Sequence, residues 1–535
     1  MNRLYYGDNL TIMQRMPKHC VDLIYLDPPF NSKKNYNLMY KTMTGMPVSE
    51  QVEAFCDTWE MDAEKEELAK KMPFLMREYG VEDYYVEFWR LWINALRHTQ
   101  PHLLAYLIYM VQRLLHMRSL LRPKGSIYLH CDPTASHYIK VMMDGIFGHK
   151  NFRAEIIWQR TNARATTGKW PRLHDVILHY SATDKYTFHS TKVRADERKM
   201  PHTLITGADG EKYQTFELTA PGRTKDGESG QPWRGFDPDA FGRHWANNVA
   251  TMDEWDEAGL IHWPARNGFP RRRASEPFDP NDRQVVVGDV WTDIDRINQS
   301  AKERLGYPTQ KPISLLDRII LSSSNVGDVV FDPFCGCGTT IYSAVKNDRK
   351  WIGCDIAILS VRLVREILGS RWRQVEGEHF EVSGIPVSVE QAEELFKQNP
   401  FQFEHWLVER VGGFPTKKTG DKGVDGRIYF ETKQGLRSIV LSVKGGKIRP
   451  TDIRDLRGVL DREGDTEMAG FLSLQTPSKA MREEAASLGQ FEYQGVAYDR
   501  MQLLTVGDIL EGRLEFRTPT KVVSKAKSEQ GALPI

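Results

Sequence analysis

The chain has 535 residues, 40% hydrophobic and 27% charged, a makeup that excludes a fibre or a disordered segment and suits roughly three or four compact globular units. A formal net charge of +1 excludes nothing about nucleic acid, because one face can be basic while the rest is acidic. Six scattered cysteines without a C-x-x-C pair exclude a disulfide scaffold and a structural zinc. The most lipophilic run, Leu103 to Val111, falls short of a membrane span, so no membrane partner is expected and the cytoplasm is the expected compartment.

The first elements are a short strand, a turn at Gly7-Asp8-Asn9 and a helix from about Leu10 to Met16. Leu23-Ile24-Tyr25-Leu26 then runs straight into Asp27-Pro28-Pro29-Phe30. Such a stretch reads as a buried strand whose carboxyl end delivers one carboxylate and one ring to a cleft. Proline fixes φ and has no N–H, so the pair stops the sheet and holds the carbonyls of Asp27 and Pro28 outward. Those groups are acceptors only. They suit a substrate that brings donors, such as the exocyclic amino group of a flat base on which Phe30 could stack. Taken alone, the same residues describe a strand end, a proline turn and a solvated aspartate.

Residues 31 to about 100 are polar, and the run Glu64 to Lys71 reads as a solvated helix face. From Tyr84 to Leu121 apolar residues recur at helical spacing, with Pro101 separating two helices and Arg122-Pro123-Lys124-Gly125 ending the second. Ser126 to Asp132 reads as another buried strand and Tyr138 to Phe147 as a helix. Helices crossing between buried strands imply a parallel sheet. Two further strands, Ala154 to Gln159 and Val176 to Tyr180, flank a loop with Arg160, Arg164 and Lys169.

From about 185 to 285 glycine, proline, tryptophan and arginine dominate, and Arg271-Arg272-Arg273 sits near Trp263 and Phe269. Basic residues interleaved with rings suit a surface that reads bases and phosphates. An irregular β-rich insertion with a solvated rim fits the composition equally well.

After Tyr307-Pro308-Thr309-Gln310-Lys311-Pro312 and a helix to about Ser324 comes Phe331-Asp332-Pro333-Phe334-Cys335-Gly336-Cys337-Gly338-Thr339-Thr340. A strand ends in an acid and a glycine-x-glycine turn opens a helix, where glycine lets backbone approach a ligand closely. The strand from Trp351 then ends in Asp355, a position suited to ribose hydroxyls. No glycine follows three positions after Gly338, so a nucleoside fits better than a dinucleotide. Cys335 and Cys337 line the glycine turn more simply than they bind metal.

These motifs, in this order, resemble the amino-methylating DNA methyltransferases of the permuted β group over about residues 1 to 365. The resemblance implies an α/β fold: a Rossmann-like doubly wound methyltransferase sheet with circularly permuted motif order. It implies a catalytic half at 1–184, a target-recognition region at 185–300 and an S-adenosylmethionine-binding half at 301–370. Asp27, Pro28, Pro29 and Phe30 would be catalytic. Asp332, Phe334, Gly336, Gly338 and Thr339 would hold the methionine and adenosine parts of the cofactor, Asp355 its ribose, Thr309 and Lys311 its carboxylate, and Asp8 the edge of its adenine. The substrate implied is a base flipped out of double-stranded DNA. Adenine N6 is the first choice, because cytosine-N4 relatives more often carry Ser at the position of Asp27.

Past about residue 380 the chain starts again. Asp425 before one strand and Lys444 at the end of the next resemble the Mrr-type PD-(D/E)xK nucleases. That implies a smaller α/β restriction-endonuclease-like domain at 380–518, followed by a disordered tail at 519–535. There Asp425 would bind Mg2+, Lys444 would orient water and Glu404 could add a ligand. This chain has Ser442 where the family places Glu or Gln, so cleavage and plain DNA binding both stay open. The competing readings are a cytosine-N4 enzyme, a combined restriction-modification protein, a DNA-binding protein without turnover, and methylation of RNA or protein. A homodimer, a partner restriction nuclease and association with a prokaryotic nucleoid are all compatible with the expected role.

Overall fold

The computed structural model describes residues 2–29, 35–38, 52–56, 59–161, 168, 170–194, 204–224, 227–264, 268–278, 284–298, 301, 303–305, 307, 309–416, 423–432, 435–464 and 466–519. Phe30, Lys169 and all but the first residue of the expected tail lie outside them. The chain divides into two compact units, one of residues 1–189 with 289–535 and one of residues 190–288.

A single nine-stranded sheet organises the larger unit. Its strands are β1 (Asn2–Tyr6), β2 (Val21–Leu26), β3 (Leu121–Cys131), β4 (Phe152–Gln159), β5 (His174–Ser181), β6 (Val290–Trp291), β7 (Val329–Asp332), β8 (Lys350–Asp355) and β9 (Phe380–Ser383). They lie in the order β6-β4-β5-β3-β2-β7-β8-β1-β9. β5 is antiparallel to both its neighbours and the other adjacent pairs are parallel. From β2 the next strand, β3, is added on one side, and from β7 the next strand, β8, on the other. Where strand order reverses, the loops diverge and leave a crevice at the carboxyl ends. The register Phe331 with Ile24 sets Asp332 level with Tyr25, and Tyr6 pairs with Asp355. Four strand ends that are distant in sequence therefore meet at one edge.

Six helices bear on the site: α1 (Asn9–Arg15), α2 (Pro101–Leu120), α3 (Ile313–Ser323), α4 (Thr339–Lys346), α5 (Ile358–Trp372) and α6 (Pro400–Arg410). α2 starts with proline in its first turn, where the missing N–H costs nothing. It is buried on nearly every side, and the core packs β2, β3 and β5 against it. The strand expected at Ser126 to Asp132 begins earlier, at Leu121, because β3 pairs with β2 across a register shift between Val21 and Leu23. The helix expected over Tyr138 to Phe147 is α-helical at Ser136–Met143 and gives way to a π turn at Asp144–Gly148.

The same unit holds a second, five-stranded sheet of β10 (Phe414–Pro415), β11 (Gly426–Thr432), β12 (Gly435–Lys444), β13 (Thr466–Ser473) and β14 (Met501–Thr505), in sequential order. Its first three strands are antiparallel and its last three parallel.

The smaller unit carries a four-stranded antiparallel sheet of Leu204–Thr206, Lys212–Glu217, Ile261–His262 and Arg271–Arg273. Beside it lies a core of Leu218, Trp233, Trp245 and Met252.

Candidate active site

Asp27 follows a strand whose last four residues are all buried, and a cavity of about 260 Å³ opens at that point. Asp27, Pro28 and Pro29 line it together with Thr309, Lys311, Asp332, Phe334, Gly336, Thr339 and Asp355. Asp8 is on the same wall. The carboxylate of Asp27 is asymmetric. Oδ2 accepts from the Lys311 ammonium, while Oδ1 is buried without a partner. Lys311, expected at the cofactor carboxylate, therefore stands in this structure on Asp27, with the Thr309 carbonyl 3.5 Å away. Gln310 staples that loop, accepting from the Leu305 N–H at 2.7 Å and donating to the Glu303 carbonyl at 2.7 Å.

The glycine turn is built by backbone constraint. Gly336 has φ +50 and Gly338 φ +87, a region that side chains disfavour. A Cβ on Gly338 would meet Val364 at 2.8 Å and Tyr342 at 2.9 Å, so Gly338→Ala is expected to cost about 1–3 kcal/mol, read as a lower denaturation midpoint. The Phe334 N–H donates to Asp332 Oδ1 at 3.0 Å. Gly336 N–H and Ala357 N–H donate to the two oxygens of Asp355 at 2.8 and 2.9 Å. Burial outweighs these bonds. It pushes the pKa of Asp332 up to about 7 and that of Asp355 up to about 6. Burial likewise raises the Cys335 thiol well above its usual range and that of Cys337 to about 11, so both remain uncharged liners of the turn.

The remaining wall comes from residues that the motifs do not name. Asp8 caps α1, accepting from Leu10 N–H at 2.8 Å, and its other oxygen meets Arg113 at 2.7 Å. Arg113 also donates to Asn9 at 2.7 Å, and Asn9 donates to the Pro333 carbonyl at 2.8 Å. The guanidinium lies 3.4 Å over the ring of Tyr109, which meets Trp59 at 4.7 Å between centroids. Trp59, Tyr109, Tyr25 and Tyr307 all line the cavity. One signal was available in the sequence. Arg113 falls in the middle of the apolar run from Leu103 to Leu121, where a guanidinium needs a buried acceptor, and Asp8 with Asn9 supplies it.

In the smaller unit the arginine run is used for packing. Arg271 donates to Thr215 at 2.9 Å and pairs with Glu217, Arg272 lies over Trp255 at 4.7 Å, and Arg273 lies over Tyr213 at 4.2 Å. These contacts fit the β-rich insertion that the composition also suggested.

Among the described residues the second sheet does not assemble the expected metal site. Asp425 Oδ2 accepts from the Val443 N–H at 2.6 Å and from the Ser442 hydroxyl at 3.3 Å, which ties the carboxylate to β12. Lys444 ends that strand and Glu404 lies half-buried on α6. Among the described residues no group of three or more His, Cys, Asp or Glu is placed to hold a metal. These residues do not fit Mg2+, and no step is drawn through it.

An acid and a glycine turn at the switch point of a doubly wound sheet define an α/β protein of the kind whose ligands lie at the carboxyl ends of the strands, here in the cavity beside Asp27. Residues 21–366 match the N6_N4_Mtase family, described as DNA methylase, and the chain belongs to that family. Residues 400–504 match a second family, described as NACHT-associated inactive Restriction Endonuclease 1. The chain is 32% identical over 265 residues to the type II methyltransferase M.EcaI of Enterobacter cloacae, covering 49% of this chain and 56% of that protein. It is 24% identical over 388 residues to the Mod subunit of the type III restriction-modification enzyme StyLTI of Salmonella typhimurium, covering 66% and 52%. To the DNA adenine methyltransferase YhdJ of Escherichia coli it is 49% identical over 80 residues, 15% and 27% of the two chains. The chain thus spans about half the length, or less, of these curated relatives. Among solved structures, the PvuII cytosine-N4 DNA methyltransferase aligns over 71% of this chain and 88% of that one at 11% identity and a TM-score of 0.31. A TM-score that low carries no argument about function. Among the described residues no helix is long and apolar enough to cross a membrane.

Proposed function

We propose that the chain transfers a methyl group from S-adenosylmethionine to the exocyclic amino group of a base flipped out of double-stranded DNA, adenine N6 in the first place. The observation that carries this reading is the unpartnered, buried Asp27 Oδ1 in the cavity wall. A buried acceptor without a donor is costly, and an incoming amino group supplies that donor. Family membership supports amino methylation of DNA, and the name of the adenine-specific relative supports the choice of base.

The cavity fits the cofactor, with buried acids at the ends of β7 and β8 beside a turn that admits close backbone approach. Asp332, Phe334, Gly336, Gly338, Thr339 and Asp355 would hold it, with Thr309 and Asp8 at its margins. When bound, it supplies an electrophilic methyl on a cationic sulfur. Asp27 Oδ1 and the Pro28 carbonyl accept the two amino hydrogens and turn the nitrogen lone pair toward that methyl, so catalysis is chiefly positioning. Lys311 on Oδ2 keeps the carboxylate from rotating. Asp27 need not be a strong base, because the nitrogen becomes acidic only after attack.

The test is transfer of labelled methyl to genomic DNA, followed by digestion to nucleosides and chromatography. Label in N6-methyladenine supports the reading, label in N4-methylcytosine overturns the base, and no label in any DNA overturns the activity. For the second sheet we infer DNA binding without cleavage: the tied carboxylate of Asp425 and the matched family's description as inactive support the lack of cleavage, and its likeness to a restriction endonuclease supports DNA binding. Supercoiled plasmid incubated with Mg2+ is expected to stay intact, and Lys444→Ala is expected to behave as the parent does. Two relatives named for type II and type III systems support a role beside a restriction nuclease.

A further inference from the structure

A buried polar chain lies behind the reacting carboxylate, and the mechanism above gives it no part. Tyr25, near the end of β2, lines the same cavity as Asp27 two residues on. Its hydroxyl is 2.9 Å from His130 Nδ1, and His130 Nε2 is 3.2 Å from Asp175 Oδ2. Arg160 Nε lies 3.1 Å from Asp175 Oδ1. His130 and Asp175 are buried, whereas the Arg160 side chain is 46% exposed. The pairing of Leu26 with Leu129 sets His130 at the height of Asp27 on the neighbouring strand. An apolar filling of the same volume would be at least as stable, so stability alone does not explain the chain.

Asp175 anchors the chain as its acceptor end. Burial alone would raise Asp175, but the His130 bond and the charges of His130, Arg160 and Lys311 hold it below the usual carboxylate range, an acceptor only. His130 Nε2 therefore carries a hydrogen and donates to Asp175, while Nδ1 shares a hydrogen bond with the Tyr25 hydroxyl. Burial raises the Tyr25 phenol well above its ordinary value, so it keeps its proton. Trp158 packs edge-on against His130 at 5.7 Å and is itself held by donating to the Ile294 carbonyl at 2.9 Å. The Tyr25 ring is thus locked in the cavity wall.

The other end of the chain reaches the surface. The Arg160 N–H donates to the Leu173 carbonyl at 2.9 Å, which closes the base of the β4–β5 hairpin at the sheet edge that carries Asp27. DNA must lie along that edge for a base to enter the cavity. A half-exposed guanidinium with one nitrogen on Asp175 still has nitrogens to offer a phosphate.

We propose that Tyr25, His130 and Asp175 are positioning residues that couple Arg160, on a DNA backbone phosphate beside the flipped base, to the wall of the base pocket. This rests on the methyl-transfer reading. The test uses the full chain and duplex DNA carrying the site found in the product assay. Tyr25→Phe removes a single oxygen and Asp175→Asn a single charge. Each is expected to slow single-turnover methylation about tenfold with cofactor affinity unchanged. The double variant should be no slower than the slower single. Arg160→Ala should raise KM for DNA about tenfold and lower the salt slope by about one, with Arg160→Lys restoring part of both. If Asp175→Asn lowers Tm, Tyr25→Phe and the Arg160 pair decide the matter. Multiplying effects in the double variant, an unaffected Tyr25→Phe, or a wild-type KM and salt slope in Arg160→Ala overturns the coupling while methylation stands. A parent chain that methylates no DNA overturns the activity, and the chain's role falls with it.

Discussion

Asp27→Ala is expected to abolish methyl transfer, by at least about a thousandfold, while cofactor affinity falls no more than about tenfold. The first effect follows from the loss of Oδ1, the acceptor that orients the amino group. The second follows from the other oxygen. Lys311 is largely buried, and without Asp27 its ammonium loses the carboxylate it is paired with. Breaking such a pair costs about 3 kcal/mol and leaves a positive charge facing a cationic cofactor. The double variant with Lys311→Met should therefore recover cofactor affinity and stability but no methyl transfer. Calorimetry for binding and single-turnover labelling for transfer separate the two. Equal loss of binding and transfer in Asp27→Ala, unrelieved in the double variant, would mean that Asp27 is structural.

What could be read from the sequence was contiguous in it. Asp27 with its two prolines, and Asp332 through Thr339 with the glycines, each lie within about ten residues, and each local pattern implies a strand end and a turn. That the two would share a cavity followed from the topology that the family resemblance implied, and both line it. That Arg113 needs a buried acceptor could be read, but its partners could not, because helix packing brings it to Asp8 and Asn9 from about a hundred positions away, and Tyr109 and Trp59 join the wall by the same packing. Tyr25, His130 and Asp175 come from three strands, and no spacing rule links them. The arginine run shows the converse limit. Composition shows charge beside rings, but not whether the guanidinium stacks inward or faces solvent. Asp425 and Lys444 were placed on the expected strands, while the bond from Val443 N–H that occupies the carboxylate is a backbone feature that side-chain patterns do not encode.

Cofactor affinity is expected to weaken as pH falls below about 7, approaching tenfold per unit, because Asp332 must lose its proton to face a cation. Burial raises Asp332 to about 7 and Asp355 to about 6, both above the ordinary carboxylate range. For an acid raised in the folded state, the stabilisation is fully present below the unfolded pKa of about 4 and is lost as pH rises through the folded value. The unliganded chain should therefore lose stability between about pH 4 and pH 7 through these two groups. S-adenosylmethionine carries a net positive charge, and its approach favours the ionised carboxylates and draws protons off them. Binding should then release close to one proton at pH 6.5 and close to none at pH 8.5, measurable by titration calorimetry in two buffers of different ionisation enthalpy. Asp332→Asn removes the larger contribution. It should bind more weakly at pH 8 yet lose most of the dependence between pH 6 and pH 8. Equal affinity of the parent chain at those two values would mean that Asp332 is ionised before the cofactor arrives, and that the cavity is more open to water than its burial implies.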